Sequence, residues 1–334
     1  MDAKVAVIGT TTWGTALAII LARKNFPVSL VARTQAEAEQ LESQRQNARF
    51  LPGVPFPDSL SVTDAVPKSV PQADLLIIAV PSHRLRQNVQ TIRDSISPGT
   101  VILSAAKGLA LPTGKRMSQV LEEELPSGLH SAICAISGPN FAEEIVQGKL
   151  ASTVVAGRDA QMVEQTQAIL MSSSFRVYSS DDLIGVELGG ALKNIIALGA
   201  GIADGLQMGE NGKAALVTRG LAEITRLGIA AGAQPLTFAG LAGLGDLIAT
   251  CASRLSRNRY VGEELAKGRS CPDIQKSMDN VAEGVNTTGS ALAMADELGV
   301  EMPITQATHQ VLFDGLSPQE AIVQLMERPP RSEW

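Results

Sequence analysis

The stretch at residues 181–220 reads DDLIGVELGGALKNIIALGAGIADGLQMGENGKAALVTRG. Ser180, Asp181 and Asp182 supply oxygens for a helix N-cap, and apolar residues then recur at helical spacing. One cation, Lys193, interrupts this apolar pattern. The sequence therefore predicts a buried helix that carries a lysine.

The face of this helix around Lys193 is nearly bare of side chains. Its neighbours one turn away are Gly189, Gly190 and Ala197, so a ligand or another backbone can approach closely. Burial of an unpaired ammonium is costly and lowers its pKa toward neutrality, which makes Lys193 a candidate for proton transfer. The alternative is a glycine and alanine face for close helix packing, with a lysine that extends into water.

The composition is that of a globular protein with about two domains. The chain has 334 residues, 45% hydrophobic and 19% charged, whereas a domain averages roughly 150 residues. A net charge of -6 argues against a nucleic-acid or anionic-membrane surface, because both partners need spread positive charge. The three cysteines lack C-x-x-C spacing and the three histidines fit no metal or acid–base spacing. We expect reduced thiols, no metal site and a cytoplasmic location.

No membrane insertion is expected. The chain begins MDAK and passes directly into a strand pattern, without the features of a signal peptide. The longest uncharged apolar run, at residues 195–203, is too short to span a bilayer.

A glycine-rich turn follows the first strand pattern. The apolar run Val5–Ile8 leads into GTTTWG at residues 9–14 and then into a helical pattern. In this setting a G-x-G-x-x-G turn places a pyrophosphate on a helix N-terminus. Here Thr11 stands at the middle glycine position, between Gly9 and Gly14. A turn of this kind also occurs where nothing binds.

Arg33 follows the second predicted strand, at residues 28–32. A dinucleotide-binding fold that prefers NAD usually presents an acid at this point to the ribose 2'-hydroxyl, and a cation suits a 2'-phosphate. No acidic residue follows Arg33 before Glu37. A ribose without the phosphate would therefore lose its usual carboxylate acceptor.

Further predicted strands end in small polar residues. They cover residues 75–80, 101–104 and 132–136. Ligands of an open parallel sheet lie beyond the carboxyl ends of its strands, so Ser82, Lys107 and the turn at 137–140 should converge. Strand patterns at 153–156 and 175–179 close this part, and only helical patterns follow. We predict an α/β Rossmann-like domain at residues 1–180 and an all-α domain at 181–334.

Two later stretches also suggest chemistry. GLAGLGDLIAT, at residues 240–250, places Asp246 in an apolar segment, where it would orient a lysine or bind a substrate hydroxyl, or else only cap a helix. RLSRNR, at residues 254–259, is a cationic cluster in an acidic chain. Such a cluster suits a phosphate, although a solvated helix face is the alternative.

These motifs together resemble the bacterial NAD(P)-dependent glycerol-3-phosphate dehydrogenase family. The quoted lysine helix, NGKAALVTRG, GLGDLIATC and SRNR carry the resemblance, which extends to VEMPIT at residues 300–305. It implies a Rossmann domain followed by a helical substrate domain, commonly in a homodimer. It also implies interconversion of dihydroxyacetone phosphate and sn-glycerol 3-phosphate with NADP(H) or NAD(H), which supplies glycerophospholipid synthesis.

The resemblance also implies roles for individual residues. Lys193 matches the proton donor or acceptor, Lys107 a lysine that touches cofactor and substrate, and Asp246 the carboxylate near Lys193. The implied substrate-binding residues are Lys107, Gly138, Asn140, Lys193, Asp246, Ser256, Arg257 and Asn258. The implied cofactor-binding residues are Thr12, Trp13, Arg33, Lys107, Ala142, Arg257, Val281 and Glu283, which join Gly9, Thr11 and Gly14 of the turn.

The chain departs from the family pattern at Thr11 and at Asn140, where a glycine and a serine are usual. Two other functions fit parts of the sequence. A ketopantoate or 3-hydroxyacid reductase would keep the nucleotide turn and a lysine, but SRNR would then lack a purpose. A non-catalytic nucleotide sensor would need neither Lys193 nor Asp246.

Overall fold

A computed structural model describes residues 3–278, 282–330 and 332–333 of the chain. Val281, one of the implied cofactor residues, lies outside these residues.

Eight strands form one sheet within the described residues. They are β1 (Val5–Ile8), β2 (Val28–Val31), β3 (Leu60–Thr63), β4 (Leu75–Ile78), β5 (Val101–Ser104), β6 (Ile133–Ser137), β7 (Ala151–Gly157) and β8 (Phe175–Ser180). Their order is β3-β2-β1-β4-β5-β6-β7-β8. The neighbouring pairs from β3 to β6 are parallel, β7 runs antiparallel to β6, and β8 is parallel to β7.

The buried strands explain why most of the sheet is readable from sequence. Strands β1, β4, β5 and β6 are buried along their whole length, as expected for parallel strands covered on both faces. Strand β3 was missed in the sequence, because this short edge strand alternates buried and more exposed residues. Strand order reverses at β1, which lies between β2 and β4.

The remaining regular structure is helical. The α-helices are α1 (Thr12–Ala22), α2 (Gln35–Gln44), α3 (Val66–Ser69), α4 (Ser82–Ile92), α5 (Met117–Glu124), α6 (Ala142–Val146), α7 (Ala160–Leu170), α8 (Leu183–Gly205), α9 (Gly209–Ala230), α10 (Pro235–Ala239), α11 (Asp246–Ala252), α12 (Arg257–Ala266), α13 (Cys271–Lys276), α14 (Glu283–Leu298), α15 (Pro303–Phe313) and α16 (Pro318–Met326). Short 3-10 helices lie at Val70–Gln72, Arg93–Ser95 and Ser127–Ala132, and Leu241–Gly245 is a π-helical turn. The predicted Rossmann-like α/β part followed by an all-α part is confirmed.

The chain divides into two compact units. The first comprises Met1–Lys107 and Lys115–Glu187, and the second comprises Gly108–Gly114 and Leu188–Trp334. The division thus falls within α8, whereas the sequence suggested residue 180. Glu187 is the last residue of the first unit, and its carboxylate accepts hydrogen bonds from the Arg116 guanidinium and the Ser118 amide of that unit.

Helix α8 is the one described helix long and apolar enough, by composition, to cross a membrane. The most apolar stretch of this helix is 83% buried inside the protein, so its side chains pack against the chain's own residues.

Within the second unit, α8 packs closely against α12. A Cβ added at Gly201 would lie 1.9 Å from the carbonyl oxygen of Arg259, and one at Gly262 would lie 2.0 Å from that of Leu198. Only glycine permits this approach. The glycines therefore bring the start of α12, with its SRNR sequence, alongside the lysine helix.

Candidate active site

The turn between β1 and α1 is built on two glycines. Gly9 has φ +108°, and a Cβ there would lie 2.9 Å from the carbonyl oxygen of Ala79. A Cβ at Gly14 would lie 2.2 Å from the carbonyl oxygen of Gly9. The turn therefore packs tightly against the end of β4, at the point where strand order reverses, which is where doubly wound folds bind dinucleotides.

Thr11 replaces the usual middle glycine without opening this turn. Its hydroxyl accepts a hydrogen bond from the Gly14 amide (3.1 Å) and donates one to the carbonyl oxygen of Ala79 (2.8 Å). The side chain thus caps α1 and contacts the protein's own backbone. Thr12 and Trp13 begin α1, and the Trp13 indole nitrogen is buried without a hydrogen-bond partner in the described part of the chain.

Asn47 supports the turn from outside the motif, and sequence reasoning missed it. Its amide nitrogen lies 2.9 Å from both the carbonyl oxygen of Thr10 and the hydroxyl of Thr15, and its side chain is buried. Neither Asn47 nor its spacing carries a local signal, because the contacts join residues far apart in the chain. With the N-terminus of α1 and its helix dipole, this arrangement suits a pyrophosphate.

Arg33 lies beyond β2 with 82% of its side chain exposed. The expectation that no carboxylate lies beside it is wrong. Helix α2 turns Glu37 back, and its Oε1 accepts a hydrogen bond from the Thr10 hydroxyl at 2.6 Å. Its Oε2 accepts one from the Arg33 amide at 3.2 Å and lies 3.7 Å from the Arg33 Nε.

Two site residues meet where β5 and β6 end. The Lys107 ammonium donates a hydrogen bond to the carbonyl oxygen of Gly138 at 2.7 Å. Gly138 has φ +148°, and a Cβ there would lie 3.0 Å from the Cα of Thr153. The Asn140 amide nitrogen donates to the Thr153 hydroxyl at 2.8 Å, which leaves its buried oxygen without a partner among the described residues. The contact with Thr153 therefore holds the Asn140 side chain in place and leaves its Oδ1 as a hydrogen-bond acceptor.

In the second unit, the lysine of α8 lies in a buried polar cluster. The Lys193 ammonium donates hydrogen bonds to Asp246 Oδ1 (2.5 Å) and to the Thr250 hydroxyl (2.6 Å). Lys193 is 6% exposed, Asp246 1% and Thr250 4%. Thr250, which the sequence interpretation left without a role, in turn donates to the backbone oxygen of Asp246. The carboxylate and the hydroxyl together fix the position of the ammonium and the direction in which its protons point.

Glycines again decide how this cluster forms. A Cβ at Gly189 would lie 2.5 Å from the carbonyl oxygen of Ala242, so the bare face of α8 receives the backbone of the π-helical turn. A Cβ at Gly243 would lie 2.2 Å from the carbonyl oxygen of Phe238. Asp246 begins α11 immediately afterwards, and its carboxylate binds the lysine.

The SRNR sequence forms the N-cap and first turn of α12, and its side chains make different contacts. The Ser256 hydroxyl caps the helix by accepting from the Arg259 amide. The Asn258 amide donates to Asn194 Oδ1 and accepts from the Gly284 amide, both at 2.9 Å. It therefore ties the residue beside Lys193 to the start of α14.

Arg257 is the cation of this turn that faces solvent. Protein atoms nevertheless surround much of its side chain, and the resulting desolvation lowers the pKa of its guanidinium, while the charge of Glu283 acts in the opposite direction. An exposed guanidinium at a helix N-terminus suits an anion. Glu283 begins α14, and Ala142 begins α6, where it packs against the core of the first unit.

Cys134 and Cys251 are buried free thiols, and Cys251 directly follows Thr250 in α11. Burial raises the pKa of the Cys134 and Cys251 thiols to about 12, so neither is a nucleophile near neutral pH.

Known proteins of one family match this chain over nearly its whole length. Two sequence profiles, described as the N-terminus and the C-terminus of NAD-dependent glycerol-3-phosphate dehydrogenase, match residues 4–163 and 182–323. The chain is 48% identical over 329 residues to the glycerol-3-phosphate dehydrogenase (NAD(P)+) of Chlorobium limicola, which covers 98% of this chain and 99% of that protein. It is 50% identical over 325 residues to the enzyme of that name from Dehalococcoides mccartyi, covering 97% of this chain and 90% of that protein.

A solved structure agrees as well. The crystal structure of glycerol-3-phosphate dehydrogenase from Coxiella burnetii is 35% identical, with a TM-score of 0.92, and covers 98% of this chain and 99% of that chain. This chain therefore belongs to the NAD-dependent glycerol-3-phosphate dehydrogenase family.

Proposed function

We propose that this enzyme reversibly reduces dihydroxyacetone phosphate to sn-glycerol 3-phosphate with NADPH or NADH. The observation that carries the proposal is the buried Lys193–Asp246–Thr250 cluster in a chain of this family. The names of the relatives support both the substrate pair and the use of either cofactor.

The first unit would hold the cofactor. The tight turn at Gly9 and Gly14 and the N-terminus of α1 suit the pyrophosphate, and Arg33 suits a 2'-phosphate. A nicotinamide dinucleotide, when bound, supplies the hydride in one direction and accepts it in the other. Ala142, Val281 and Glu283 keep the cofactor roles that the family resemblance implies.

Lys193 would move the proton. During reduction its ammonium gives a proton to the oxygen of the ketone as the carbon gains hydride, and during oxidation the amine takes the proton back. Asp246 and Thr250 both accept from Nζ, so they fix the direction in which the ammonium points. Lys107, Gly138 and Asn140 would contact the substrate, where the unpartnered Asn140 oxygen would accept from a hydroxyl.

Arg257 would bind the phosphate of the substrate. The first turn of α12 adds backbone N–H groups, and Ser256 and Asn258 hold that turn in place. Phosphate binding far from the reacting carbon supplies orientation, because a fixed phosphate fixes the ketone.

The test is cofactor oxidation with three substrates: dihydroxyacetone phosphate, dihydroxyacetone and ketopantoate. We expect kcat/KM to be highest by far for the phosphorylated ketone. Preference for ketopantoate would favour the ketopantoate reductase alternative. Cofactor binding without turnover of any of the three would favour a nucleotide sensor.

The finer proposals concern assembly and location. The family resemblance supports a homodimer that works in the cytoplasm and supplies glycerophospholipid synthesis. Light scattering on the purified protein measures the mass of the assembly, and a monomer at working concentration would contradict the homodimer. Cell fractionation tests the location.

A further inference from the structure

The side chain of Glu37 is directed at the nucleotide turn rather than at its own helix. Thr34 caps α2 and Glu37 is the third residue of that helix, so a capping box would return the Glu37 carboxylate to the Thr34 amide. Instead its two oxygens accept from the Thr10 hydroxyl and the Arg33 amide. Glu37 therefore joins the loop after β1 to the loop after β2.

These two loops enclose the place where a dinucleotide-binding fold receives the ribose of adenosine. The first follows β1, where strand order reverses, and the second ends the neighbouring strand. The Glu37 side chain is 23% exposed, so a ligand in this place can reach it. The Arg33 side chain is much more exposed, and its Nε lies 3.7 Å from the Glu37 carboxylate, which is a long ion pair.

We propose that Glu37 is a second determinant of cofactor choice, which accepts from the ribose hydroxyl of NAD(H) and opposes the 2'-phosphate of NADP(H) that Arg33 attracts. The proposal rests on the proposed use of both cofactors. Attraction at Arg33 and repulsion at Glu37 act on the same phosphate with opposite sign. Their balance permits one site to use both nucleotides. Removal of the Glu37 charge would favour NADP(H), and removal of the Arg33 charge would favour NAD(H).

The experiment uses adenosine fragments as probes and measures binding by calorimetry, so it needs no turnover. Adenosine 2',5'-bisphosphate carries the 2'-phosphate, and adenosine 5'-monophosphate carries the free hydroxyl. In Glu37→Gln, which keeps the size and an acceptor for Thr10, we expect preference for the bisphosphate to rise roughly 5- to 20-fold, since one like charge is removed from partly solvated surroundings. Arg33→Gln should change the preference in the opposite direction.

The matched control is Glu39→Gln. Glu39 lies on the same helix and is exposed, and its carboxylate accepts from Gln35 instead of contacting the turn. The same loss of charge there should leave the preference unchanged. If Glu37→Gln weakens both fragments equally, or leaves the ratio as in wild type, Glu37 only supports the loop and the proposal is wrong.

A second measurement needs no variant. Wild-type protein should bind adenosine 5'-monophosphate several-fold more tightly than its 2'-deoxy form, because the 2'-deoxy form lacks the hydroxyl that would donate to the Glu37 carboxylate. Equal affinity would overturn the ribose contact even if Glu37→Gln does not fold. Neither measurement involves dihydroxyacetone phosphate, so failure of the proposed reaction and failure of this inference give different results.

Discussion

Substitution of Lys193 by methionine separates the catalytic role of this residue from its structural one. Methionine keeps an unbranched apolar stem but has no proton to transfer. We expect turnover to fall by roughly 10²- to 10⁴-fold, the usual contribution of a general acid, with little change in cofactor affinity. That loss corresponds to about 3 to 5 kcal/mol of transition-state stabilisation.

The same substitution should also lower stability, by an amount that depends on burial. Lys193 and Asp246 are 6% and 1% exposed with 2.5 Å between Nζ and Oδ1, so the small values typical of surface ion pairs do not apply. Removing one partner of a buried pair strands the other charge and costs about 3 to 5 kcal/mol. This is a large share of the roughly 5 to 15 kcal/mol that stabilises a native protein.

A double variant distinguishes the two effects. Lys193→Met with Asp246→Asn removes the stranded carboxylate, so the free energy of unfolding should recover in part while turnover stays low. Urea unfolding and steady-state reduction of dihydroxyacetone phosphate measure the two quantities. Lys267→Met, which removes an exposed lysine paired with Glu264, should leave both nearly unchanged. Wild-type turnover in folded Lys193→Met, or activity that returns together with stability in the double variant, would refute the reasoning.

Three further substitutions test other parts of the molecule. Arg257→Ala should weaken binding of dihydroxyacetone phosphate, by about 2 to 5 kcal/mol if the bound pair is desolvated, and reduce the preference over dihydroxyacetone; equal loss of kcat/KM for both would mean that Arg257 acts through the fold or the cofactor. Arg33→Asp should depress kcat/KM for NADPH far more than for NADH, whereas an unchanged ratio would mean that the 2'-phosphate is recognised elsewhere. Glu223 accepts from the Ile304 and Thr305 amides at the start of α15, and burial raises its pKa from 4.5 to about 7. The native state therefore binds a proton that the unfolded state has released, and stability falls by about 3 kcal/mol as pH rises through this range. Glu223→Gln should lose this pH dependence in urea unfolding, whereas the exposed control Glu297→Gln should keep it. If the pH dependence persists in Glu223→Gln, it does not come from Glu223.

The sequence by itself determined the parts of this protein that depend on short-range pattern. Strands β1, β4 and β5 are uninterrupted apolar runs because they are buried on both faces, and the glycines at 9 and 14 mark a turn with no room for a side chain. The apolar helix with one lysine was also visible, since helical periodicity needs only a few turns of chain. Family membership followed from these motifs together.

Only the tertiary structure decided which side chains meet. Lys193 lies 53 residues from Asp246, and Glu37 lies 27 residues from Thr10, so no local pattern predicts either contact. The SRNR sequence suggested several phosphate ligands, but the structure gives the Asn258 amide partners in α8 and α14 and leaves Arg257 facing solvent. The physical reason is that polar side chains take their partners from helix packing, which glycines such as Gly189 and Gly201 set through backbone contacts far along the chain.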